Sequence, residues 1–381
     1  MRRPDTELQE EDATEAPGFP PPERKVITQP YDLSISTLLE QWDQDLLVLP
    51  DMQREYVWDR GRASRLIESL ILNIPIPVLY FSETPDARYE IIDGHQRISS
   101  VVQFLKNEFA LTGLRVLSEY RGKRFHELPE REQRFIRSRT MRAVVVTAES
   151  HPNMKFEIFE RLNTGSIALN EQELRNSLFR GSFNLLLKQL VRSPAFRACI
   201  GTRKPRRRMV DEELILRFFA LSDVGRCLPD PASQKSTDYG VAAYRPPLKT
   251  FLNTFMQRVQ DAPSDDIEEM RSDFALSIER IESTLGSAAF RPIDQDGKPL
   301  ERIVSRAFFD AQSLAFLWLD EDPEPAMAKT VLADLSSDPE FTDSIRRATS
   351  DRSRLLLRVN AVVEAFRAVG LGVSPPPIPP V

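Results

Sequence analysis

At 381 residues, with 41% hydrophobic and 28% charged side chains, the chain has the make-up of a water-soluble protein able to bury a large core. No apolar run is long enough to cross a bilayer and the N-terminal MRRPDTELQEEDATEAPG lacks an apolar signal core, so a cytoplasmic protein with no membrane partner is expected. The net charge of −6 is set largely before position 23, where six acidic residues face only Arg2 and Arg3.

Residues 1–24 are acidic, Pro-rich and without periodicity, which predicts a disordered tail. A short helix is expected around Ile35–Gln41, then a strand over Leu46–Pro50, then the polar–aromatic segment QREYVW ending at Trp58. Ala63, Leu66, Ile67, Leu70 and Ile71 share one stripe of a helix that stops before Pro75. Pro77–Glu83 reads as a strand, residues 84–87 as a turn, and Tyr89–Ile92 as its partner strand. Asp93-Gly94 follows, and a helical period starts at once with Ile98, Val101, Val102 and Leu105. Met141–Thr147 is another strand.

Beyond it every periodic segment is helical. Helices are expected over Asn153–Leu162, from Asn170 with Glu173 completing a capping box, and from Ser182 with Leu185, Leu186, Leu187, Leu190 and Val191 in the core. Asp211 is expected to cap DEELILRFFAL, and at least four more helices fill Arg245–Ala368, capped near Ser264, Asp338 and Asp351. The fold class is therefore α+β in front and all-α behind. The expected segments are 1–24, an α+β domain over 25–150, helices over 151–225, a C-terminal helical region over 226–371 and a Pro-rich tail over 372–381.

A strand, a tight Asp-Gly turn and a helix start aim backbone N–H groups and the positive end of a helix dipole at one point, which suits a phosphate. Gly94 permits close approach, Gln96 and Arg97 supply donors, and Asp93 can hold Mg²⁺ or orient a water. The ordinary alternative is a turn in which Asp93 caps the helix and Arg97 is solvated. QREYVW adds Gln53, Arg54 and Trp58, and FERLNTGSIALNEQELRN adds Arg161, Asn163 and Glu173. Guanidiniums, amides and two carboxylates for a metal, Asp93 and Glu173, suit a nucleoside triphosphate with Mg²⁺, and a nucleic-acid backbone nearly as well. The run TRKPRRR places Arg203, Lys204, Arg206, Arg207 and Arg208 together, and nine Lys or Arg stand between Arg115 and Arg142 against four Glu; either is a candidate DNA footprint or a solvated face. Cys199 and Cys227 fit neither a metal spacing nor a disulfide framework.

QREYVW, LIESLILNIPIPVLYF, YEIIDGHQRISSVVQFL, FERLNTGSIALNEQELRN and DEELILRFFAL follow one another in an order that resembles the GmrSD-type restriction N-terminal domain, a ParB-like domain with the signature DGQQR. The resemblance spans roughly residues 33–221. It implies a ParB/sulfiredoxin-like α+β fold with a helical continuation, a Mg²⁺-dependent nucleoside triphosphate site, and a sensor role in restricting foreign DNA. On it, Asp93, Gln96 and Arg97 are the expected catalytic residues. Gln53, Arg54, Trp58, Gly94, His95, Arg161 and Asn163 are the expected nucleotide-binding ones. His95 departs from the signature, which has Gln there. An HNH nuclease needs histidine, and only His95, His126 and His151 are present, so DNA cutting is expected from a separate nuclease chain. A non-hydrolysing DNA-binding module and a scaffold for that nuclease are the competing readings.

Overall fold

β-Branched and aromatic residues between Gly, Pro and Asp breaks build the sheet of the front unit. A computed structural model describes residues 25–49, 56, 58–84, 86–162, 170–222 and 240–374, and of Pro152, Asn153 and Arg207 the backbone alone. Two units result, meeting in sequence at Leu169–Asn170.

In the front unit the elements run β1 (Thr28–Ser34), α1 (Ile35–Asp43), β2 (Leu47–Val48), α2 (Arg60–Ile71), β3 (Leu79–Glu83), β4 (Tyr89–Asp93), α3 (His95–Leu105), α4 (Glu130–Ser138), β5 (Thr140–Val146) and α5 (Pro152–Leu162). The strand order is β1-β5-β3-β4-β2, with β3 antiparallel to β4 and parallel to β5. Leu79, Phe81, Ile91, Ala143 and Val145 of the sheet close with Ile67, Leu70, Ile98, Val101 and Phe104 of α2 and α3 into one apolar core. The α+β expectation for this half holds. β1 was not foreseen: its Pro30 cannot donate to a ladder, and the strand survives because it lies at the sheet edge, paired only with β5.

The loop after α3 is fixed by one buried carboxylate. Glu68 accepts the backbone N–H groups of Arg115, Val116 and Leu117 at 2.7–3.2 Å. Burial alone would raise its pKa, but the three donors outweigh it and hold the carboxyl below its ordinary value.

The second unit is helical: α6 (Glu171–Leu178), α7 (Ser182–Leu190), α8 (Pro194–Ile200), α9 (Val210–Leu221), α10 (Gly240–Ala243) and α11 (Leu248–Val259). There follow α12 (Ser264–Leu285), α13 (Arg306–Leu317), α14 (Pro325–Ser337), α15 (Pro339–Arg346) and α16 (Arg352–Ala368). Ten consecutive residues of α13, Ala307–Phe316, are buried, so this helix is the axis of the unit. Edge-to-face pairs such as Phe218–Phe274 and Phe196–Phe274, 5.3 and 5.6 Å between centroids, bring α8 and α9 onto α12.

Three local expectations need correction. Leu185 is 60% exposed, because α7 turns Leu186, Leu187 and Leu190 inward and leaves it outside. Asp211 does not cap α9: Met209 holds that position, and Asp211 lies fully buried in the first turn. Nor is Ser264 a cap, since it is the first helical residue after Pro263. The Asn170–Glu173 capping box and the Asp338 cap form as expected.

Candidate functional site

β4 delivers its last residue, Asp93, to the sheet rim, where the register against β3 shifts between Tyr80 and Phe81. The chain then turns on Gly94, whose φ of 109° is a left-handed conformation that glycine adopts freely. A Cβ there would stand 2.4 Å from Leu79 Cδ2. α3 begins immediately, and no side chain caps its N-terminus. The first-turn N–H groups of a helix have no partner within it, so this uncapped end carries the dipole's positive pole.

Arg97 does not reach out as a free phosphate donor. Its guanidinium is almost enclosed; Nη1 donates to the carbonyls of Pro77 and Val78, and Nη2 to Asp93 Oδ2 at 2.5 Å. The residue ties the entry of β3 to the end of β4 and fixes the Asp93 carboxylate, whose side chain stays 45% exposed. Asp93 is thus neither a helix cap nor buried, and Arg97 holds it in place.

Gln96 Oε1 accepts the backbone N–H of Trp58 at 3.2 Å, and Tyr56 Oη bonds Ser100 Oγ at 2.9 Å. Tyr56 and Trp58 of QREYVW are thereby tied to the first two turns of α3. Arg62 stands 4.5 Å from the centre of the Trp58 ring. The structure thus brings Trp58, Asp93, Gly94, Gln96 and Arg97 together. Gln53, Arg54 and Asn163 lie outside the described residues. Tyr56, Ser100 and the Pro77 and Val78 carbonyls were missed: Tyr56 sits inside the motif already singled out, while backbone carbonyls leave no sequence signal.

His95 is buried, and burial pushes its pKa down to about 4, so the ring is neutral at pH 7 and offers a phosphate no charge. The sign of the pH effect follows. The unfolded chain takes up this proton near pH 6.5 and the folded one only near 4, so stability falls as pH drops through that window. His95→Gln is expected to remove on the order of 2 kcal/mol of acid destabilisation between pH 7 and 4.5. Urea midpoints at the two pH values check it; an unchanged pH dependence would rule out His95 as its source.

The remaining predicted residues are placed elsewhere. Arg161 is exposed and pairs with Glu157 at 2.8 Å. Glu173 belongs to the helical unit, where Oε2 takes the Asn170 N–H at 2.7 Å and Arg208 Nη2 at 3.1 Å. Its carboxylate is committed to cap and ion pair, and it belongs to a different unit from Asp93. Among the described residues, no group of three or more His, Cys, Asp or Glu could hold a metal. In TRKPRRR, Arg203 and Lys204 are exposed, Arg206 is turned inward onto Asp211, Arg208 pairs with Glu173, and the Arg207 side chain lies outside the described residues. Within the Arg-rich stretch 115–142, Arg124 is engaged with the Asn107 carbonyl, Arg139 with those of Leu70 and Ile71, and Arg142 with Asp32. His126 lies in the short 3-10 helix Phe125–Glu127 and is held by Asn107, and His151 immediately precedes α5.

The uncapped start of α3 offers the helix-dipole end and first-turn N–H groups that a phosphate would need. A Mg²⁺ fits only by sharing Asp93 with phosphate oxygens and water, the usual habit of that ion. No helix among the described residues is long and apolar enough to cross a membrane. Residues 35–180 match the family model of the GmrSD restriction endonuclease, N-terminal domain. No curated protein matches the chain.

Proposed function

We propose, for a chain whose residues 35–180 belong to the GmrSD restriction endonuclease N-terminal domain family, that it is the nucleotide-binding sensor of a restriction or phage-defence system. The observation that carries the reading is the β4–Gly94–α3 turn: an uncapped helix end beside a fixed, half-exposed carboxylate. Phosphates would rest on the first turn of α3, and Trp58 would flank them. Arg97 would keep Asp93 oriented rather than touch the ligand. A Mg²⁺ would be held by Asp93, supplying charge neutralisation for the phosphates. DNA cutting would fall to a partner nuclease chain. The DNA-binding alternative loses weight, since Arg206 and Arg208 of its basic run are spent on Asp211 and Glu173.

Melting temperatures of the full chain with each of the four ribonucleoside triphosphates, with and without Mg²⁺, test this. A ligand at 100 times its Kd adds about 2.7 kcal/mol. At least one nucleotide is expected to raise the melting temperature in a Mg²⁺-dependent way, and Asp93→Asn to remove the Mg²⁺ dependence. No rise with any of the four would sink the sensor reading.

A further inference from the structure

A guanidinium leaves water at a cost that acceptors for its N–H groups must offset. Arg291 in the helical unit shows the usual solution, giving its donors to the carbonyls of Cys199, Ile200, Ser287, Ala289 and Arg302. Arg197 and Arg206 depart from it. Nη1 of each reaches Asp211, at 2.7 and 3.0 Å, and Arg197 Nη1 also serves Thr202 and Lys204. Yet Nε and Nη2 of both are closed from solvent and make no hydrogen bond, Arg197 having only the Phe196 ring 4.9 Å from its guanidinium, and Nε of Arg306 is likewise closed off without a hydrogen bond.

The three side chains come from separate elements: α8, the loop that follows it, and the first residue of α13. Arg197 and Arg206 meet on one carboxylate, so their guanidiniums are adjacent, and Arg306 comes to the same end of α9, beside Glu213 two residues beyond Asp211. Negative charge is short. Asp211 serves two arginines, and the nearest carboxylate to Arg306 is Glu213, at 4.0 Å and already bonded to Arg175 at 3.2 Å. Burial first, and then the neighbouring guanidiniums, hold Arg206 below its ordinary pKa despite Asp211.

We propose that Arg197, Arg206 and Arg306 enclose a small tetrahedral oxyanion, a phosphoryl group borne by inorganic phosphate or by a small phosphate ester. Guanidinium forks match phosphate oxygens in geometry and charge, and such an anion would both satisfy the orphaned donors and neutralise the excess cation. The orphaned donors are closed from solvent, so a nucleic-acid backbone, which presents its phosphates to surface groups, is not the ligand. The site is independent of the α3 turn, which lies in the other unit.

The experiment is a melt of the full chain, dialysed into chloride buffer, in about 10 mM inorganic phosphate or a nucleoside 5′-monophosphate at equal ionic strength. A melting temperature higher by about 3 °C or more is expected. Arg306→Gln, which leaves both Asp211 ion pairs in place, is expected to abolish the rise, and Gly94→Ala to preserve it. A rise with inorganic phosphate identifies the free ion as sufficient; a rise with the monophosphate alone identifies an ester. Equal melting temperatures in phosphate, monophosphate and chloride overturn the proposal, as does a rise that survives Arg306→Gln. Should that variant not fold, a selenate soak of full-chain crystals decides. An anomalous peak within hydrogen-bond distance of Arg197 and Arg206 supports the site, and its absence there overturns it.

Discussion

Asp310→Ala is expected to destabilise the helical unit by about 3–5 kcal/mol, the range for removing one partner of a fully buried ion pair. Asp310 lies on α13 with no exposed surface, and both of its oxygens are taken. Arg217 of α9 donates through Nε at 2.9 Å and Nη2 at 2.6 Å, while Arg358 of α16 donates through Nη2 at 3.0 Å. Neither arginine has exposed surface, so alanine would leave two buried cations facing a void. The loss should appear in urea titrations followed by far-UV circular dichroism, to which the eleven helices α6–α16 contribute most. A companion variant, Asp310→Leu with Arg217→Met and Arg358→Leu, should recover most of the loss, because apolar groups of similar volume need no partners. A single-variant loss below about 1 kcal/mol would mean that the triad is not the fastening that its geometry implies.

The contrast between that triad and the α3 turn explains what was legible in the sequence. α2, the β4–Gly94–α3 junction and the Asn170–Glu173 capping box depend on neighbours within four residues, so periodicity and capping chemistry revealed them. α4 stayed hidden because its only buried residue is Ile136, set among Arg and Glu that look like a charge run. The run Leu185–Leu187 showed a helix but not which leucine faces out. Asp211 looked like a cap because the residues that make it a buried acceptor, Arg197 and Arg206, are set by tertiary packing. Arg206 was misplaced for the same reason: a basic run does not tell which cations turn inward. The contacts of Arg97 were not legible either, since the Pro77 and Val78 carbonyls that hold it lie twenty and nineteen residues away.

Gly94→Ala is the second large effect, and its interest is that it acts from beneath the candidate site. The left-handed conformation at φ 109° costs a non-glycine residue about 1–3 kcal/mol. The new methyl would meet Leu79 Cδ2 at 2.4 Å, and Leu79 is fully buried, so overpacking adds about 1–3 kcal/mol more. A total of about 3 kcal/mol or more is expected in urea titrations of the front unit. The clash lies on the core side of the turn, so the methyl does not itself obstruct a phosphate; it displaces the turn and the first residues of α3. Any Mg²⁺-dependent rise in melting temperature with a nucleoside triphosphate should therefore vanish in Gly94→Ala. It should return in part in Gly94→Ala with Leu79→Ala, where the clash is gone but the backbone strain remains. If the double variant folds and still shows no response while the wild type does, the methyl blocks the ligand directly, and the phosphate lies on the Leu79 side of the turn.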